Sequence, residues 1–305
     1  MFRFLALLFA ALAAAPAAAA AAAASAPAPA QAQAPAFTSE RIGVTVVGSG
    51  PDVVLIPGLT SSPEVWASTV AAVPGYRYHL VHVSGFAGRP AGANASGAVL
   101  EPVAEEIARY IREQRLSRPA LVGHSLGGSW AMMVGGRHPA LVSRVMVVDM
   151  MPFMAAMFGG PTATVETIRP MAEQFRRGIT TPQSEQVRRQ QAEGTIATMV
   201  RTEALRAGPV QHSMTSDLVV VAQAMYDLIT TDLRPEVARI EVPFTVLWVT
   251  PPNAPVTQEQ MTAFYAASYA GAEQAVVRQI SHSYHFIMFD QPEAFQRELR
   301  TFLGN

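Results

Sequence analysis

Pro119-Ala120-Leu121-Val122-Gly123-His124-Ser125-Leu126-Gly127-Gly128-Ser129-Trp130-Ala131-Met132-Met133-Val134 decides the fold class. The first part is a short apolar run and the last part is helix-prone and free of proline, so a strand is expected to turn straight into a helix. The pivot, Gly123-His124-Ser125-Leu126-Gly127, reads G-x-S-x-G. Its glycines are expected to allow the tight turn and to leave the serine hydroxyl above the sheet edge. An ordinary strand–turn–helix corner with an inert serine carries the same letters, so the rest of the chain must decide between the two.

On both sides of this segment, short apolar runs alternate with helical stretches. Strands are expected at Gly43–Val47, Val53–Ile56, Tyr78–Val83, Ala120–Gly123, Val145–Val148 and Thr245–Val249. Ser62-Pro63-Glu64 opens a helix with serine as cap and proline at the first helical position. Ala98–Arg115 is amphipathic, and Pro292–Leu303 reads as a closing helix. Such alternation implies an α/β fold, a doubly wound and mostly parallel sheet. From about 150 to 240 the strand pattern stops, and helical patterns take over around Thr164–Arg177, Gln183–Ala207 and Thr215–Ile229. That block is expected to be a helical cap inserted over the carboxyl edge of the sheet.

Residues 1–35 are read as lying outside the fold. Met1-Phe2-Arg3-Phe4 supplies a short basic start, Leu5 to Ala15 an apolar run, and Ala30-Gln31-Ala32 a small-residue cleavage pattern. This is the layout of a secretory signal followed by an Ala/Pro-rich leader, which implies a periplasmic or secreted protein. An uncleaved anchor is the rival reading, because alanine prolongs the apolar stretch. After cleavage no stable membrane span is expected, and residues 36–305 form the folded domain. The net charge of −1 gives no reason to expect a nucleic-acid partner. Cysteine and lysine are both absent. That removes disulfides, thiol nucleophiles, a Ser–Lys dyad and a Schiff base, so a histidine has to activate Ser125. With no H-E-x-x-H motif either, no metal and no cofactor is implied.

Together with three further segments, the pivot resembles the nucleophile elbow of the α/β-hydrolase family, over essentially all of Ile42–Leu303. Leu55-Ile56-Pro57-Gly58-Leu59-Thr60 looks like the family's oxyanion loop, with Pro57 where histidine commonly stands. The resemblance implies that the backbone N–H groups of Leu59 and Leu126 hold the developing oxyanion. Ser84-Gly85-Phe86-Ala87-Gly88 is similar to the family's glycine-rich turn, with His82 where aspartate is common. His79 and His82 are three apart on a strand, point to opposite faces and are read as structural. His285-Phe286-Ile287-Met288-Phe289-Asp290-Gln291-Pro292 resembles the carboxy-terminal histidine loop, which puts His285 at the general base. His124, inside the elbow, is read as a packing residue.

The acid stands apart from the usual pattern. In the family it commonly follows the strand matching Thr245–Val249, where this chain reads Thr250-Pro251-Pro252-Asn253-Ala254-Pro255, with no carboxylate before Glu259. Asp149, at the end of Val145–Val148, is the preferred candidate, since some members, the haloalkane dehalogenases among them, carry the acid after this earlier strand. A Ser–His pair assisted by Asn253, or a role for Glu259, stays open. A serine at the elbow points away from dehalogenases and epoxide hydrolases, which use aspartate there. The resemblance therefore implies a serine hydrolase acting on a small ester-like substrate, ester or lactone, through Ser125, His285 and Asp149, with amide and carbon–carbon bonds left open. A non-catalytic binding protein on the same fold is the alternative. Met150, Met151, Phe153, Met154, Met157 and Phe158 form either an adaptable pocket wall or ordinary cap packing. Oligomeric state is left open.

Overall fold

The computed structural model describes residues 36–304, apart from residue 161 and residues 251–255. The leader and Asn253 therefore lie outside the described residues. Seven strands form one sheet: β1 (Ile42–Gly48), β2 (Asp52–Ile56), β3 (Arg77–Val83), β4 (Ala120–His124), β5 (Arg144–Val148), β6 (Phe244–Trp248) and β7 (Ala275–Gln279). Their order is β1-β3-β2-β4-β5-β6-β7. Only β1 runs antiparallel, against β3, and every other pairing is parallel.

The helices in chain order are α1 (Ala67–Ala72), α2 (Leu100–Glu113), α3 (Leu126–Arg137), α4 (Ala156–Gly159), α5 (Val165–Thr180), α6 (Glu185–Met199), α7 (Ala207–Thr215), α8 (Leu218–Thr230), α9 (Arg234–Val237), α10 (Gln258–Ser268), α11 (Ile287–Asp290) and α12 (Pro292–Leu303). The central strands are apolar without alternation because both of their faces are covered. Val54 and Ile56 of β2 join the cluster of Trp130 and Phe86, whereas Val53 and Leu55 join that of Trp66 and Phe295. The fold is α/β, doubly wound around a mostly parallel sheet.

Strands stop after β5 and resume at β6, and α4 to α9 fill the interval. Within it α5 packs along α8 through Phe153, Ile168, Ala172 and Ile229. Asp217 starts α8 by accepting the N–H groups of Val219 and Val220 at 2.9 and 3.1 Å. The expected helix Gln183–Ala207 is interrupted: α6 ends at Met199 and α7 begins at Ala207. The break is tertiary in origin. The Asp290 carboxylate accepts the N–H groups of Arg201 at 3.0 Å and Thr202 at 2.8 Å, which a continuous helix would use internally. β7 and α10 are additional to the sequence reading. β7 is a half-exposed edge strand with an Arg-Gln end, so its apolar signal is short. Among the described residues no helix is long and apolar enough to cross a membrane.

Candidate active site

Parallel pairing sets two strand ends side by side. His124 is opposite Val148 in the β4–β5 register, so the next residues, Ser125 and Asp149, leave adjacent strands at one level. The Ser125 N–H donates to the Val148 carbonyl at 2.9 Å and the Asp149 N–H to that of Leu247 at 2.7 Å. Both residues have φ near +54°. That conformation costs an L-residue about 1–2 kcal/mol, and these hydrogen bonds help hold it. At the elbow the positive φ belongs to Ser125, while Gly123 and Gly127 are absent from the positive-φ positions. The glycines serve close approach instead. A Cβ on Gly127 would lie 2.2 Å from the Ile56 carbonyl oxygen, so only glycine lets α3 start against the end of β2.

His285 arrives from the loop after β7, just before α11. Its Nδ1 lies 2.6 Å from Asp149 Oδ2. A carboxylate can only accept, so Nδ1 carries the proton and the lone pair sits on Nε2. The second oxygen, Asp149 Oδ1, accepts the Val249 N–H at 3.1 Å and the Tyr265 hydroxyl at 3.2 Å. Burial, with the Asp149 carboxylate second, pushes the Tyr265 phenol well above its usual value, so it stays a donor. Tyr265 was not among the sequence candidates. It sits on α10, outside every motif read from the sequence, and only packing brings it to Asp149. Glu259 is exposed in the first turn of α10, with its carboxyl held low first by the Thr257 hydroxyl.

The loop after β2 closes over the elbow. The Ser61 N–H donates to the Gly58 carbonyl at 3.1 Å. A side chain on Gly58 would place Cβ 2.8 Å from Ser125 Cβ, so the backbone of this loop lies directly against the serine. Leu59 and Ser125 line the same cavity. The Leu126 side chain is buried in the core, and its N–H stands at the first position of α3, where a helix has no internal acceptor.

His124 is fully buried, with Nε2 3.1 Å from the His285 carbonyl, so Nε2 bears its proton. Burial first, and the neighbouring His285 second, hold its imidazole well below the usual histidine value. Burial also lowers His79, held between Tyr110 and Asp52, and His82, bonded to the Phe86 carbonyl. An unfolded chain protonates such rings as pH falls through about 6.5, while the folded chain resists. The stability they contribute is therefore full above that value and is lost on acidification, by up to about 1.4 kcal/mol per pH unit for each ring. Thermal melts should show Tm falling from about pH 7 to 5, and His124→Gln should flatten that fall. An unchanged slope would remove His124 as a contributor.

A cavity of about 610 Å³ opens over the serine, lined by Ser125, Asp149 and His285 together with residues of the helical segment. Met150, Met151, Met154 and Met157 line it, whereas Phe153 belongs to the α5–α8 packing. Phe158 is exposed beside Phe175, with ring centroids 5.9 Å apart. Asp290 ties this wall to the histidine loop, because the oxygen that accepts from Arg201 also accepts the Tyr284 N–H at 2.9 Å. Among the described residues no group of three or more His, Asp or Glu side chains could hold a metal ion.

Known proteins agree with this architecture. The chain is 35% identical over 116 residues to the pimeloyl-[acyl-carrier protein] methyl ester esterase of Aeromonas hydrophila, a match covering 37% of this chain and 44% of that one. The protein of the same name from Nitrosospira multiformis is 24% identical over 246 residues, 78% of this chain and 90% of the relative. The chain spans only about two fifths of the length of several curated relatives that it matches. An esterase structure from Exiguobacterium antarcticum superposes with a TM-score of 0.70 at 21% identity, covering 87% of this chain and 96% of that chain, a likeness of fold. A sequence model described as "Alpha/beta hydrolase family" matches residues 53–298, from β2 through most of α12. By sheet order, elbow and that match, the chain belongs to the alpha/beta hydrolase family.

Proposed function

We propose that this hydrolase cleaves carboxylic esters, lactones included, through an acyl-enzyme formed on Ser125. The observation that carries the reading is the 2.6 Å contact from His285 Nδ1 to Asp149, in a cavity that both share with Ser125. It leaves Nε2 of His285 as the base. Ser125 Oγ attacks the acyl carbon while His285 takes its proton. The carbonyl oxygen becomes an oxyanion facing the N–H groups of Leu59 and Leu126, donors aimed at charge that exists only in the transition state. The tetrahedral adduct then breaks its bond to the alkoxy oxygen, which leaves as the alcohol with the proton from His285. Water repeats the sequence on the acyl-enzyme and releases the acid. The pimeloyl methyl ester named in the relatives supports an ester rather than an amide bond. The basic start and apolar run of residues 1–15 support export to the periplasm or the medium.

A fluorophosphonate probe should label Ser125 in folded protein, and p-nitrophenyl butyrate should give a burst of p-nitrophenol. Folded protein that neither labels nor turns over would favour the non-catalytic ligand-binding reading instead.

A further inference from the structure

One face of α6 runs along the cavity: Arg188, Gln191, Ala192, Thr195, Ile196 and Met199 all line it. Their spacing of three and four is a single helical stripe. The Met199 end of this stripe is fastened beside the proposed base, because the Phe286 N–H donates to the Met199 carbonyl at 3.1 Å. From residue 199 back to residue 188 the helix axis runs about 16 Å, at 1.5 Å per residue. An arginine on a helix leans toward the amino terminus, which carries the guanidinium further from His285. The helix therefore measures out a distance between the proposed reacting centre and one cation.

That cation is underused. Arg188 is half-buried and donates one Nη2 bond, to the Met214 carbonyl at 3.2 Å. Among the described residues lining the cavity it is the one arginine, and Asp149, already bonded to His285, is the one carboxylate. The next residue shows the contrast: Arg189 points away and reaches Glu185 at 4.0 Å. A guanidinium offers five N–H donors in a fork that matches a carboxylate or phosphate. Between it and His285 the wall sets Met199, Met214, Ala192 and Ile196 beside the uncharged polar Gln191 and Thr195.

We infer that Arg188 receives an anionic end group of the substrate, so that the site takes an ester whose apolar chain ends in a carboxylate or phosphate at the Arg188 end of the cavity, about 16 Å along α6 from Met199. The inference rests on the ester-hydrolase reading of Ser125 and names the substrate class for that site. The charge can sit on the acyl part or on the alcohol part, and the two are separable by experiment.

The acyl arm compares the p-nitrophenyl half-esters of adipic, suberic, sebacic and dodecanedioic acids with the uncharged alkanoates of matched length. The alcohol arm compares the butyryl ester of ω-hydroxydodecanoate with dodecyl butyrate. In one arm kcat/KM should favour the long charged ester by about tenfold, as expected for hydrogen bonds to a charged group, with no preference for the shortest chain. Arg188→Gln should abolish that preference through KM. The arm that shows it assigns the anion to that side of the ester. A ratio near one in both arms, or one unchanged in Arg188→Gln, overturns the inference. A binding measurement separates it from the hydrolase reading. Calorimetry with dodecanedioate on Ser125→Ala should show Kd weakened about tenfold when Arg188→Gln is added. If no ester is hydrolysed the hydrolase reading falls, and equal dodecanedioate affinity with and without Arg188 would still overturn the inference.

Discussion

Ser125→Ala should lower kcat for p-nitrophenyl butyrate by about a millionfold, the loss typical of removing a serine nucleophile whose base is left in place. Fluorophosphonate labelling should vanish with it. The fold should survive, for a reason visible at the elbow. Ser125 stands at the amino terminus of α3 but makes no side-chain capping bond, so deleting its hydroxyl removes no helix cap. Alanine keeps the same strained φ and the same backbone bond to Val148. Tm should therefore stay within a few degrees of wild type, since a surface-like change of about 0.5 kcal/mol moves it little. Turnover above about one per cent of wild type would place the nucleophile elsewhere.

Asp149→Asn should cost about ten-thousandfold in kcat, and the hydrogen bonds around the carboxylate give the mechanism. Two donors, the Val249 N–H and the Tyr265 hydroxyl, converge on Oδ1. In the asparagine variant they hold the amide oxygen at that position, so its NH₂ faces His285 Nδ1. The imidazole must then accept at Nδ1 and carry its proton on Nε2, the tautomer that cannot take a proton from Ser125. KM should change far less than kcat, because the ring is misprotonated rather than displaced. Near-normal turnover in a folded Asp149→Asn protein would remove the aspartate from the proposed triad and return the role to the segment around Asn253.

How much of the site was legible depends on what each residue needs around it. The elbow, the Leu59 loop and the His285 loop are each local: a strand, a tight turn and a helix start, written in consecutive residues. Asp149 was a candidate because it ends an apolar strand, but its claim over Asn253 could not be argued from spacing. The decisive contact joins residues far apart in the chain, through a sheet register in which β4, β5 and β6 lie side by side. Tyr265 had no signal at all, since a buried tyrosine on a helix looks like core. The glycines were expected to allow the tight turn, and the structure shows how: the positive φ falls on Ser125, while Gly123 and Gly127 allow close packing. β7 was missed because an edge strand needs only a short apolar run.

The sequence by itself determined the alternation of strands and helices, the serine at the sharp turn and the exclusion of lysine and cysteine chemistry. These follow from local periodicity, backbone allowance and composition, which are properties of neighbours in the chain. Only the tertiary structure decided which carboxylate meets His285, which phenol steadies it, and where α6 breaks so that Met199 lies beside the histidine loop and Arg188 stands at the far end. Those are contacts between distant segments, set by sheet order, buried hydrogen bonding and the packing of the helices between β5 and β6, and no local pattern encodes them.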